Sequence, residues 1–145
     1  MRLERWSPAV VAFALSAGCG GPSAVAPGVQ PSHGGTLLEL PDQGGFVEIA
    51  VAPSDPKARG KDAKGKVVAY FVNRDGSASL APAPADVSFS DERGKTYPLA
   101  PKAGGPSAAT EFESGSTPFA VGVEPTGKLD AKLGGKAVSL PVRPR

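Results

Sequence analysis

Short apolar stretches separated by Pro and Gly make up the pattern of this chain from residue 34 onward. The longest of them is the segment 66–76, KVVAYFVNRDG, in which apolar side chains occupy both faces of an extended strand. Its two faces carry Val67, Ala69 and Phe71 on one side and Val68, Tyr70 and Val72 on the other. A strand that is apolar on both faces must be covered on both. We therefore predict that this segment contains the central strand of the fold and that the strand ends in a turn at residues 73–76.

A two-residue alternation of apolar positions recurs in most of the other segments. In the segment 46–52 it places Val47, Ile49 and Val51 on one face and Glu48 on the other. Two alternating runs near the C-terminus flank the pair Gly134-Gly135, which favours a tight hairpin turn. Further strands are predicted at residues 36–40, 86–90, 95–99, 110–113, 119–123, 129–133 and 138–142. About eight or nine strands at spacings of about ten residues predict an all-β fold, and we expect an immunoglobulin-like β-sandwich.

Composition supports this fold class and excludes some functions. The chain has 145 residues with 19 Gly and 16 Pro, a content of helix breakers that argues against a helical bundle. The net charge of +2 gives no bulk attraction to nucleic acid, so we predict no nucleic-acid partner. A single cysteine allows no intrachain disulfide, so packing alone must hold the core.

Residues 1–18 are predicted to be a signal peptide. Arg2 and Arg5 form a positive start, and residues 9–17 form an apolar centre shorter than the roughly 20 residues that span a bilayer. The segment 15–20, LSAGCG, resembles the lipobox of bacterial lipoproteins, whose cysteine becomes the acylated N-terminus of the mature protein. The resemblance implies a lipid anchor on Cys19 and, since the next residue is not Asp, a position on the periplasmic face of the outer membrane. The alternative is an ordinary cleaved leader that leaves Cys19 as a free thiol.

Residues 19–33 have the composition of a flexible linker. From residue 20 to residue 33 there is no Asp, Glu, Lys or Arg, and Gly, Pro, Ser and Ala dominate. The predicted organisation is therefore a lipoprotein signal peptide over 1–18, a lipid-anchored linker over 19–33 and a β-sandwich domain over 34–145.

A polar segment at residues 53–65 is predicted to be the loop before the central strand. Its basic residues are Lys57, Arg59, Lys61 and Lys64. They are candidate binding residues for phosphate or other anionic groups on an envelope surface. The alternative is a solvated loop whose charges keep strand edges from pairing with other chains.

The single histidine, His33, stands where the predicted linker enters the domain. The motif His33-Gly34-Gly35, with the segments 46–49 (FVEI) and 70–76 (YFVNRDG), resembles small bacterial envelope domains that open with His-Gly-Gly. Some of these domains accompany heavy-metal or other cation efflux systems, so the resemblance implies a periplasmic accessory role. His33 is then a candidate metal ligand, which would need roughly two or three further ligands. The candidate carboxylates are those of Glu39, Asp42 and Glu48. The alternative is that His33 caps a turn or packs at the domain entrance.

Two functions follow from these patterns. The first is a membrane-tethered envelope lipoprotein whose domain is a non-catalytic interaction module for another envelope protein. The second is a periplasmic carrier or sensor of a metal or small ligand, accessory to a cation efflux system. We predict no enzyme and no cofactor, because a catalytic triad would depend on the single histidine, and no Gly-rich phosphate loop leads from a strand into a helix.

Overall fold

The computed structural model describes residues 29–42, 44–57, 63–75, 80–102 and 111–144. The predicted leader, Cys19 and most of the predicted linker lie outside the described residues. Within those ranges no helix is long and apolar enough to cross a membrane. The described residues form nine strands: β1 Thr36–Glu39, β2 Gly45–Pro53, β3 Gly65–Asn73, β4 Ala85–Asp91, β5 Thr96–Pro98, β6 Ala100–Pro101, β7 Glu111–Glu113, β8 Gly127–Leu133 and β9 Lys136–Val142.

The strands form two antiparallel sheets that share one hydrophobic core. The first sheet has the order β1-β2-β3-β7-β6, and the second has the order β5-β4-β8-β9. Side chains of both sheets contribute to a single buried cluster that includes Val47, Phe71, Phe89 and Leu129. The predicted β-sandwich is confirmed.

The strand order is that of an immunoglobulin-like sandwich with one added strand. Such a domain has strands A, B, E and D in one sheet and C, F and G in the other, which strand C′ can extend. Here β2-β3-β7-β6 corresponds to A-B-E-D, and β9-β8-β4-β5 corresponds to G-F-C-C′. The remaining strand, β1, pairs with β2 at the edge of the first sheet. The immunoglobulin-like topology that the sequence predicts is therefore present.

The predicted central strand is β3, which lies between β2 and β7 in the first sheet. Its residues Val67, Ala69 and Phe71 are fully buried in the core between the sheets. On the opposite face Val68 is buried, whereas Tyr70 and Val72 are half-buried. Both faces of the strand are thus covered, one of them less completely.

The C-terminal hairpin forms at the predicted turn. Gly134 and Gly135 have φ angles of 56° and 82°, a left-handed conformation at both central positions that favours glycine. Leu133 pairs with Lys136 directly beside the turn. The register that follows places the apolar alternation of β8 on the core side.

The predicted strand at 119–123 is wrong, since this segment lies in the connection between β7 and β8. Only an isolated bridge between Ala120 and Lys64 forms there, and Gly122 turns the chain with a φ angle of 78°. Phe119 packs edge-on against aromatic rings of the core, but Val123 is 55% exposed. The apolar alternation therefore reflects one anchoring aromatic residue in a loop. The two-residue strand β6, which contains a proline, has no such alternation and was not predicted.

Candidate functional site

The register of the first sheet places Glu48 beside Tyr70 on the outer face of that sheet. Glu48 pairs with Tyr70 on β3 and with Leu37 on β1, and Tyr70 pairs with Glu111 on β7. Because the neighbours of Glu48 along β2 point into the core, the carboxylate must point away from it. A one-residue shift of β2 would exchange the two faces, so the packing of Val47 and Ile49 fixes the position of Glu48.

The Glu48 side chain is almost completely buried and accepts four hydrogen bonds. Its Oε2 atom accepts from the backbone N–H of Ser32 at 2.8 Å and lies 3.1 Å from Nδ1 of His33. Its Oε1 atom accepts from the backbone N–H of His33 at 2.7 Å and of Gly35 at 3.0 Å. Only 5% of the side chain is exposed. The carboxylate thus holds residues 32–35, which we call the strap, against the sheet.

The charge state of Glu48 follows from the balance between burial and these bonds. Burial alone would raise the pKa of the carboxyl, because it disfavours the charged form. The hydrogen bonds from Gly35, His33 and Ser32 favour the charged form and prevail, so the pKa lies below its ordinary value of 4.5. Glu48 is therefore an ionised, buried acceptor at neutral pH.

The two glycines of the His-Gly-Gly motif allow the strap to reach the carboxylate. Gly34 has a φ angle of 71°, which only glycine adopts readily. Gly35 passes so close to β2 that an added Cβ would lie 2.2 Å from the carbonyl oxygen of Ile49. Gly34 is therefore favoured by its backbone conformation, and Gly35 is required by the lack of space for a side chain.

The imidazole of His33 is stacked on the ring of Tyr70. The ring centroids lie 3.6 Å apart, and the ring planes differ by 5°. With Nδ1–H donating to Glu48, the other ring nitrogen, Nε2, is the one left to meet an external group. The His33 side chain is 45% exposed. Glu48, His33, Tyr70 and the strap form one unit, which we call the Glu48 clamp.

Ion pairs border the clamp on the side of β7. Lys102 pairs with Glu111 at 2.8 Å, and Lys66 pairs with Glu113. Burial raises the pKa of Tyr70, and the nearby Glu111 carboxylate raises it further. Tyr70 is therefore a neutral phenol at physiological pH, and it presents its ring face to His33.

The predicted metal ligands come together only in part. Glu48 reaches His33, but its hydrogen bonds already go to the strap. Glu39 and Asp42 line a separate recess of about 760 Å³ together with Arg74, next to the turn between β1 and β2. In the described ranges no group of three or more His, Cys, Asp or Glu side chains is arranged to hold a metal ion.

The predicted anion-binding residues lie on the loop that joins β2 to β3. Lys57 and Lys64 are exposed near its two ends, where Ser54 N–H donates to the carbonyl of Lys64 at 3.1 Å. Arg59 and Lys61 lie outside the described residues. Binding by these basic residues stays a prediction.

Tyr70 was not among the candidate site residues, because the apolar pattern on both faces of its strand predicted only that its side chain is covered. The available signal was the acid Glu48 in a strand that is otherwise apolar and buried from Gly45 to Val51. A buried carboxylate requires hydrogen-bond partners. Such partners can come only from a segment that folds over the outer face, and the sequence does not show that this segment is the His-Gly-Gly motif.

Comparisons of the chain with protein-family models, with curated proteins and with solved structures found no match. Two features of the described residues bear on function, the immunoglobulin-like sandwich and the Glu48 clamp, and the lipobox-like leader stays a prediction from the sequence. The clamp binds one part of the chain to another, and three of the four hydrogen bonds that Glu48 accepts come from backbone N–H groups. Within the described residues it therefore acts as a structural fastening where the linker meets the domain.

Proposed function

We propose that the protein is a membrane-tethered envelope lipoprotein whose domain is a non-catalytic interaction module. The observation that carries this proposal is the saturation of Glu48, whose four hydrogen bonds all come from residues 32–35. A carboxylate used in this way has no bond left for a substrate or a metal ion, unless the strap is released. The His-Gly-Gly motif and Glu48 then join the tether to the domain. Recognition of a partner is a function of the surface of the sandwich.

The partner in this proposal is another envelope protein, and lipid on Cys19 supplies the membrane attachment. More than one acyl chain makes such attachment durable, because each buried methylene contributes about 0.8 kcal/mol. The sandwich offers a partner its outer surfaces and strand edges, a mode of recognition that needs no cofactor. The basic loop between β2 and β3 is a further candidate contact.

We expect the substitution Cys19→Ser to release the protein from the membrane fraction. The serine hydroxyl cannot take the thioether-linked lipid, so the chain would remain unprocessed or become soluble in the periplasm. Fractionation of cells expressing each form, followed by immunoblotting, measures the change. Equal partitioning of the mutant and the parent would contradict the tether. The substitution Ser23→Ala in the linker, which leaves the cysteine intact, is the matched control.

A second candidate function is a metal carrier, and one feature of His33 favours it. A buried carboxylate that holds one ring nitrogen while the other faces outward is the arrangement behind many metal-binding histidines. A tight zinc or copper site normally takes about three or four protein ligands, mostly imidazoles or thiolates. The mature chain contains one histidine and one cysteine, and the latter is the predicted lipid carrier.

We expect calorimetric titration with copper, zinc and nickel to detect no stoichiometric site of submicromolar affinity. The sample is the chain from residue 28 to residue 145, which contains the whole strap. The substitution His33→Ala tests any binding that is observed. A tight site in the parent that disappears in the variant would overturn the interaction module in favour of the metal carrier. Binding that survives in the variant would place the metal elsewhere on the domain.

A further inference from the structure

The Glu48 clamp determines where the chain leaves the domain on its way to the N-terminus. The strap lies over the middle strands of the first sheet, since Glu48 belongs to β2 and the stacked Tyr70 belongs to β3. Without the clamp, the first residue held by the sheet would be Thr36, at the start of the edge strand β1. The clamp thus moves the exit point from an edge of the sandwich to the face of its five-stranded sheet.

The predicted tether is short compared with the domain. From Cys19 to Gly28 it has ten residues, which reach at most about 33 Å at about 3.3 Å per residue. A domain of this size has a radius of gyration of about 13 Å and is therefore roughly as wide as the tether is long. A tether of this length that leaves from one face keeps that face nearer its anchor than the opposite face.

We propose that the Glu48 clamp orients the tethered domain, with the five-stranded sheet toward the membrane and the four-stranded sheet away from it. This inference rests on the proposed function, because it requires the lipid on Cys19. Glu48 and His33 are then positioning residues that act through the tether. Release of residues 29–35 would lengthen the tether by up to about 23 Å and transfer the exit point to β1.

Energy transfer in lipid vesicles tests the orientation. The full lipidated chain receives one cysteine at a time, either Ala52→Cys on the outer side of β2 or Ser139→Cys on the outer side of β9. Cys19 is acylated, so the new thiol alone takes the fluorophore, and a lipid dye is the acceptor. We expect stronger transfer from residue 52 than from residue 139, because packed sheets lie about 10 Å apart. Equal transfer from the two positions would overturn the inference.

Variants of the clamp test its part in that orientation. In Glu48→Gln and in His33→Ala the difference in energy transfer between the labels at residues 52 and 139 should become smaller. The matched control is Glu39→Gln, because Glu39 lies on the same sheet face but outside the clamp. In this control the difference in energy transfer should be the same as in the parent. Amide exchange at residues 33 and 35 should become at least about tenfold faster in Glu48→Gln. An unchanged difference in both clamp variants would overturn the inference.

The two proposals fail in different ways. A chain recovered without lipid contradicts the tether, and the orientation falls with it. If the chain is lipidated but the labels at residues 52 and 139 are equally far from the membrane, only the orientation is contradicted. The substitution His33→Ala keeps the measurement decisive if Glu48→Gln unfolds the domain, since the His33 ring is nearly half exposed and its removal leaves the buried carboxylate with three backbone donors.

Discussion

The substitution Phe71→Asp is expected to unfold the domain. Phe71 is fully buried on the core side of β3, where its ring packs edge-on against Phe112 with the centroids 5.6 Å apart. Loss of a buried aromatic costs about 3–5 kcal/mol, and an unpaired buried carboxylate adds a further cost of several kcal/mol. Domains of this kind have a total stability of about 5–15 kcal/mol, so little or none would remain.

Circular dichroism melting of the chain from residue 28 onward measures this effect. The parent should show a β-type spectrum and one cooperative transition, and Phe71→Asp should show neither. The matched control Ala137→Asp places the same charge on the exposed side of β9, opposite Lys132, and should melt like the parent. A Phe71→Asp variant that melts cooperatively near the parent temperature would mean that β3 does not lie at the centre of the fold.

The sequence predicted the fold well where local pattern and packing agree. Residues 67–72 are apolar on both faces, and they lie in β3, the strand between β2 and β7. The pair Gly134-Gly135 supplied the left-handed turn that a two-residue hairpin needs, and the flanking runs paired around it. In these segments the local pattern is sufficient to predict the element, although its partners in the sheet come from distant parts of the chain. The pattern failed at residues 119–123, where the alternation of apolar residues belongs to a loop.

The candidate site was harder to predict because its parts meet through tertiary structure. His33 and Glu48 are fifteen residues apart, and Tyr70 is twenty-two residues further along the chain. β2 and β3 must adopt one register before Tyr70 lies beside Glu48, and β1 must pair with β2 before the strap can reach them. The sequence placed Glu48 on the outer face of its strand, which is confirmed, but it offered Glu39 and Asp42 equally as partners of His33. Only the path of the strap distinguishes among the three carboxylates.

The substitution Glu48→Gln is expected to lower the free energy of unfolding by about 1–3 kcal/mol at neutral pH. A glutamine oxygen can accept from only part of the strap, and its amide group would face N–H donors instead of accepting from them. Glu48 is buried, so water cannot take the place of the lost acceptor. Chemical denaturation of the two forms at pH 7 measures the difference.

The free energies of unfolding of the parent and of Glu48→Gln should converge as the pH falls. The pKa of Glu48 is lower in the folded state than its ordinary value of 4.5, because the bonds from Gly35, His33 and Ser32 outweigh the effect of burial. The stability gained from this ionisation is therefore fully present above about pH 4.5 and is lost as the pH falls through the folded-state pKa. Below that pH both forms carry a neutral group at this position. As the pH falls below about 4.5, the parent should lose stability more steeply than Glu48→Gln.

Denaturation curves recorded between pH 7 and pH 3 give the free energy of unfolding of each form. The difference between parent and variant removes the contribution of the other carboxylates, which titrate in both. The substitution Glu39→Gln is the matched control, because it removes a carboxylate from the same sheet face without breaking the clamp. If the difference in the free energy of unfolding between the parent and Glu48→Gln stays constant over this range, ionisation of Glu48 does not stabilise the folded state. The strap would then be held by the shape of the side chain and the His33–Tyr70 stack, and the charge of the clamp would contribute no stability.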